Sequence, residues 1–255
     1  MDDPAHQPEK PLLTSFDGTE LAVHRLGEGR PVLLLHGLFS SAWMNWIKYG
    51  HVRVLADAGF AAIMPDLRAH GESAAPHWAD AYPPDVLRRD LDAVVQGLGL
   101  EDYDLAGFSL GARTAAAGVI AGLSPRRLVL AGMGLEGLAG WDRRARFFID
   151  AIDRFDEVER GDPAWVAVRF MKTMEVDRVA ARLLLGAVTD IEEDELARIA
   201  CPTLVLTGED DTDNGSPEAL VRALPDARLA RVPGTHMSSV TEPALGREIA
   251  RFLAA

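Results

Sequence analysis

The chain predicts an α/β fold: a mostly parallel eight-stranded sheet flanked by helices, with a small helical cap inserted late. Three observations carry this expectation. Short strands that are apolar at consecutive positions, such as Pro31-Val32-Leu33-Leu34-Leu35, recur along the chain, and such strands are covered on both faces. Helical stretches alternate with them. One of the strands runs through a Gly-x-Ser-x-Gly segment directly into an alanine-rich helix.

Taken in order, residues 12–16 and 21–25 flank the turn dipeptide Asp17-Gly18, so the chain opens with a β-hairpin. Buried strands are expected at 31–35, 61–64, 103–106, 127–131 and 203–206, with a weaker one at 227–232. Helices are expected between and after them, over 43–58, 85–98, 110–123, 217–224 and 243–253. Between Met133 and Pro202 no strand pattern occurs, and an interval of about 70 residues exceeds what one crossover needs. Phe147, Phe148, Ala151, Ile152 and Phe155 fall on one helical face there, as do Phe170, Met171 and Met174 further on. The expected organisation is therefore a flexible tail over 1–11, a core built from 12–133 with 196–255, and a helical cap over 134–195.

At 255 residues and 48% hydrophobic, the chain can bury a large core. A formal net charge of −13 argues against a nucleic-acid partner, because phosphate binding needs a concentrated basic surface. The densest basic cluster, Arg143, Arg144 and Arg146, is surrounded by Asp142, Asp150 and Asp153 and reads as a solvated helix face rather than an anion site. A single cysteine, Cys201, provides neither an internal disulfide nor a cysteine cluster for zinc, and no metal or organic cofactor is expected. No apolar run of about 18 residues could span a bilayer, and residues 1–11 lack the apolar centre of a secretion signal. A cytoplasmic protein without a membrane partner is the expectation, and its oligomeric state is not legible.

Ser109 lies in the run Leu105-Ala106-Gly107-Phe108-Ser109-Leu110-Gly111-Ala112. Gly107, Ser109 and Gly111 have the spacing of a nucleophile elbow, in which the serine sits on a strained strand-to-helix turn and its neighbours two residues away must lack side chains. A serine hydroxyl is a weak nucleophile near neutral pH. An imidazole has to accept its proton, and a carboxylate has to hold that imidazole in the useful tautomer. Of the seven histidines only His236 follows Ser109, and candidate acids crowd together at Glu209, Asp210, Asp211 and Asp213.

Four separated motifs together resemble the α/β-hydrolase family, over nearly all of 12–253: His36-Gly37-Leu38, Asp66-Leu67-Arg68-Ala69-His70-Gly71-Glu72-Ser73, the Ser109 elbow, and Gly208-Glu209-Asp210-Asp211 followed by Gly234-Thr235-His236. The resemblance implies a Ser109–His236–acid triad in that fold, with the acid three residues after Gly208, at Asp211; Asp210 is the alternative. It also implies an oxyanion hole made by the backbone N–H groups of Leu38 and Leu110, the latter following from elbow geometry as well. His36 and His70 would be structural members of loops near the site. The implied activity is that of a serine hydrolase, a carboxylesterase acting on a small ester through an acyl-enzyme.

Arg113, one turn after Ser109, departs from many relatives, and a menaquinone-pathway synthase of this fold resembles the run Gly-x-Ser-x-Gly-x-Arg. One role for Arg113 is structural, paired with an acid. The other is a substrate-carboxylate anchor, which would suit a hydrolase that cleaves a carbon–carbon bond in a diketone-like acid. A low-turnover ligand receptor on the same scaffold is the third functional alternative. Haloalkane dehalogenation is disfavoured, because that chemistry uses an aspartate at the elbow. Phe147, Phe148 and Phe170, with Arg113, are the candidate substrate contacts, and the expected cavity is largely apolar and suited to a neutral acyl group.

Overall fold

The computed structural model describes residues 11–255. Its centre is one eight-stranded sheet: β1 (Leu12–Thr14), β2 (Glu20–Leu26), β3 (Arg30–Leu35), β4 (Phe60–Pro65), β5 (Asp104–Phe108), β6 (Leu128–Ala131), β7 (Thr203–Gly208) and β8 (Ala227–Val232), in the order β1-β2-β4-β3-β5-β6-β7-β8. The β1–β2 and β2–β4 pairs are antiparallel and the remaining pairs parallel. Consecutive apolar residues in the central strands serve opposite faces. Leu33, Leu35, Leu105 and Leu130 enter one buried cluster, whereas Val32, Leu34, Ala106 and Val129 enter the other. Helices α2 (Val86–Gly97) and α3 (Leu110–Ile120) cover the first face; α1 (His51–Asp57) and α9 (Pro243–Ala254) cover the second.

Two elements differ from expectation. The first strand stops at Thr14 rather than continuing to Phe16, because Ser15 N–H already bonds to Thr19 O across a turn that Gly18 completes at φ +88°. The single helix expected over 43–58 is two elements, a π-helical turn at Trp43–Ile47 and then α1, separated by Gly50 at φ +78°. A left-handed residue breaks the hydrogen-bond ladder, and glycine adopts that conformation without steric cost. The expectation for the tail lies outside the described residues except at Pro11, whose carbonyl accepts the N–H of Val23.

Between β6 and β7 the chain forms four α-helices, α4 (Leu135–Leu138), α5 (Trp141–Asp153), α6 (Trp165–Thr173) and α7 (Arg178–Ala187), followed by a short 3-10 helix at Glu193–Arg198. Their inner faces contribute Trp141, Ala145, Ile152, Val168, Met171 and Leu184 to the same cluster that covers the first sheet face. The last helix before α9, α8 (Pro217–Ala223), starts with Ser216 accepting Ala219 N–H, an N-cap that fixes its entry. No helix among the described residues is long and apolar enough to cross a membrane.

Candidate active site

Parallel strands deliver their C-terminal ends to one edge of the sheet, and the loops that leave β3, β5, β7 and β8 meet there. Ser109 sits between β5 and α3 at φ +53°, ψ −114°, a conformation a side-chain-bearing residue adopts only when its surroundings impose it. Those surroundings explain the glycines. A Cβ at Gly107 would collide with the Gly111 carbonyl, and one at Gly111 would collide with Leu35 O. Either substitution would push α3 off the strand that carries the serine.

His236, in the loop after β8, places Nε2 3.1 Å from Ser109 Oγ. Its Nδ1 lies 2.9 Å from Asp211 Oδ2. Among the crowded acids, Asp211 alone faces the histidine; Glu209, Asp210 and Asp213 are exposed. Burial raises the Asp211 carboxyl, but the hydrogen bond and charge of His236, the Asp213 N–H and the more distant Arg144 outweigh it and hold the group below the usual carboxylate range. Phe108 packs against the His236 ring at 5.1 Å between centroids.

The loop after β3 carries Leu38, and the structure shows how the rest of the His-Gly and Asp-x-Arg-x-His-Gly motifs hold it. His36 Nε2 accepts Leu67 N–H at 2.9 Å while its Nδ1 donates to Gly37 O. His70 Nε2 accepts the N–H of Phe39, itself at φ +59°, and its Nδ1 donates to Arg68 O. Both imidazoles therefore need one bare nitrogen. Burial is the main cause that lowers both, His70 to about 3. Asp66 gathers the two loops by accepting Ala42 N–H, Glu72 N–H and His24 Nε2. Arg68 lies fully buried, bonded to Asp17, Asp90 and Ala81 O. Leu38 and Leu110 both stand on the cavity wall beside Ser109, and their N–H groups engage no acceptor among the described residues.

That cavity holds about 640 Å³ and is lined by Ser109 and His236 on the core side and by Phe147, Phe148, Val166 and Phe170 from α5 and α6. Arg113 borders it too, but its guanidinium is committed elsewhere. It donates to the carbonyls of Gly137, Leu138 and Thr189 and pairs with Asp190 at 3.4 Å, and burial pushes it down to about 10. The basic cluster on α5 differs from its reading as a wholly solvated face. Arg143 and Arg144 line the cavity, and Arg144 is half-buried, donating to Asp213 O at 2.5 Å.

Two contributors escaped sequence reasoning and a third was assigned to a solvated face. Asn45 Oδ1 accepts Gly37 N–H and Asn214 Nδ2 donates to Gly132 O, and neither belongs to a motif that would have marked it; Arg144, marked only by the basic cluster, reaches the loop of Asp211. No group of three or more His, Cys, Asp or Glu side chains among the described residues could hold a metal ion.

A family model described as the alpha/beta hydrolase family matches residues 32–246. A non-heme haloperoxidase of Rhodococcus erythropolis is 28% identical over 278 aligned positions, covering 95% of this chain and 99% of its own. With the non-heme chloroperoxidase CPO-A1 of Kitasatospora aureofaciens the likeness is 37% but spans only 40% of this chain and 35% of that protein. A hydrolase from Pseudomonas aeruginosa PA01 superimposes with a TM-score of 0.75 at 26% identity, covering 97% of this chain and 99% of that one.

Proposed function

The chain belongs to the alpha/beta hydrolase family, and from that premise we propose that it is a serine hydrolase that cleaves a small carboxylic ester through an acyl-enzyme. One observation carries the reading: an unbroken hydrogen-bonded line, Asp211 to His236 to Ser109, that opens onto an apolar cavity. Ser109 Oγ attacks the ester carbonyl carbon as its proton passes to His236 Nε2. The carboxylate of Asp211 fixes His236 Nδ1–H and stabilises the imidazolium. The carbonyl oxygen, now anionic, is received by the N–H groups of Leu38 and Leu110, which are held in place before the substrate arrives. His236 then returns the proton to the departing alcohol, and water repeats the sequence to release the acid.

The carbon–carbon hydrolase alternative used Arg113 as a substrate anchor, and the commitment of that guanidinium to three backbone carbonyls removes its support. A panel of 4-nitrophenyl esters from acetate to laurate, run beside a fluorophosphonate label, tests the proposal. Turnover with labelling at Ser109 is expected. Binding without turnover or labelling would make the protein a receptor on this scaffold instead.

A further inference from the structure

Arg144 is half-buried on the wall of the cavity that holds Ser109 and His236, and among the described residues it has no carboxylate within 4.0 Å. Half-buried Arg89 and Arg127 also lack an ion pair among the described residues but lie away from this cavity, whereas Arg113, the buried arginine that shares the cavity wall, is paired with Asp190. What sets Arg144 apart is its place: a guanidinium drawn partly out of water without a counter-ion, on the wall of the cavity that holds the serine and histidine. Burial is the main cause that weakens its hold on its proton, opposed by Asp213 and Asp211 from the facing loop, both beyond ion-pair reach.

Its neighbour Arg143 is exposed and lines the same cavity. Both sit in the first turn of α5, where basic side chains oppose the helix dipole and add nothing to helix stability. The helix end is not itself the binding group, since Asp190 already accepts the N–H groups of Trp141 and Asp142. What remains is a pair of guanidinium groups. Arg144 Nη1 donates to Asp213 O, which holds the fork in one orientation and leaves Nε and Nη2 without a partner among the described residues. Two adjacent N–H donors on a fixed plane match the two oxygens of a carboxylate. The remaining wall that α5 and α6 present is apolar, with Phe147, Phe148 and Phe170, so the charge of this wall is that of the two arginines, facing Asp213 on the opposite loop.

We propose that Arg144, with Arg143 beside it, is an anion-binding subsite of the cavity and that the substrate is an ester or lactone bearing a carboxylate. This rests on the hydrolase reading above and replaces the sequence-based expectation of a neutral acyl group. The test compares mono-4-nitrophenyl glutarate with 4-nitrophenyl pentanoate, which has a similar chain without the charge. In the unmodified protein kcat/KM should favour the acidic ester by at least about tenfold, and in Arg144→Gln that ratio should fall by about tenfold, mainly through the KM of the acidic ester. Glutamine can still donate to Asp213 O, and Arg144→Lys should restore part of the ratio. Arg143→Gln, which breaks no bond to the Asp211 loop, should lower it less. A ratio that moves by less than about threefold in both glutamine variants overturns the subsite. Calorimetric binding of monomethyl glutarate in the Ser109→Ala background, with and without Arg144→Gln, decides the matter independently of turnover: about tenfold weakening by Arg144→Gln supports it, equal affinity or no binding overturns it. Absence of turnover for both esters would count against the hydrolase reading alone.

Discussion

The loops at the strand ends and the helices inserted between β6 and β7 build opposite walls of one cavity by different physical means. On the strand side the backbone is over-determined. Ser109, Phe39 and Ala69 stand at positive φ, and Asp66, His36 and His70 tie the loops together through buried hydrogen bonds. On the inserted side, ordinary helices pack through an amphipathic face, and the ion pairs that join them, such as Arg182 with Asp153 and Arg178 with Asp156, lie at the surface. Rigid machinery thus faces a wall whose residues can change without disturbing the machinery. Each prediction below tests one side of that division or the seam between them.

The largest effect is expected at the elbow. Ser109→Ala should lower ester turnover by at least about a thousandfold, because only binding and the oxyanion donors remain, while the melting temperature stays within a few degrees. Turnover above about a tenth of the unmodified level, at equal purity, would rule out the covalent route. Next comes the acid. Asp211→Asn should cost roughly a hundred- to a thousandfold in kcat, since the amide cannot stabilise the imidazolium, whereas Asp210→Asn should change kcat by less than about threefold. Equal losses would mean that the 2.9 Å contact between Asp211 and His236 is not the functional one.

The seam is held by Arg113, which reaches from α3 to the carbonyls of Gly137, Leu138 and Thr189. Replacing it with methionine keeps the apolar stem and strands those carbonyls. Arg113→Met should therefore destabilise the protein by about 3 kcal/mol, seen as a shift of the denaturant midpoint. A loss below about 1 kcal/mol would show that the inserted helices are docked by apolar contact alone.

Acid should act on the strand side. The unfolded chain binds protons at His36 and His70 below pH 6.5, but the folded chain resists, chiefly because burial disfavours the charged imidazolium and also because each imidazole keeps one nitrogen bare to accept a backbone N–H. The unfolded state therefore gains protons first, and stability falls as pH falls from 6.5 towards 3. Between pH 7 and 5.5 the loss from His70 should be roughly 1 kcal/mol, with His36 adding to it in the same direction. Equilibrium denaturation across that interval checks it, and His70→Asn should flatten the slope. A slope unchanged by that substitution would place the acid sensitivity elsewhere.

How much of this was legible in the sequence divides along the same line. Gly107, Gly111 and Ser109 announced themselves because sterics at the elbow admit no other residues, so the geometry is written in residue type. The alternation of buried strands with helices was readable from apolar patterning, and the Asp66 motif through the family resemblance; the strand order β1-β2-β4-β3-β5-β6-β7-β8 was not read. Nor was Arg144. Helical periodicity shows that α5 has two faces, but which of them meets the cavity depends on how α5 docks, and the aspartates around Arg143 and Arg144 made a solvated face the natural reading. Asp211 could not be separated from Asp210 by residue type either, since adjacent carboxylates in a loop differ only in the direction the backbone points them.

The smallest effect belongs to the ion pairs that join the inserted helices. Arg182 on α7 grips Asp153 of α5 with two nearly parallel bonds, Nε to Oδ1 at 2.7 Å and Nη2 to Oδ2 at 3.1 Å, which is good geometry for a surface pair. Both side chains are about half exposed, at 53% and 48%, so water screens the attraction and holding two long side chains costs entropy. Arg182→Gln should therefore cost only about 0.5 kcal/mol, a shift of roughly 1 to 2 °C in Tm for a chain of this size, and the difference should shrink as salt rises. If the inserted helices owed their packing to charge rather than to Ile152, Met171 and Leu184 beneath, the loss would be several times larger and would grow in dilute buffer. Such a result would make the two walls alike in kind, each fixed by specific polar bonds, and would remove the contrast from which the tolerance of the inserted wall is inferred.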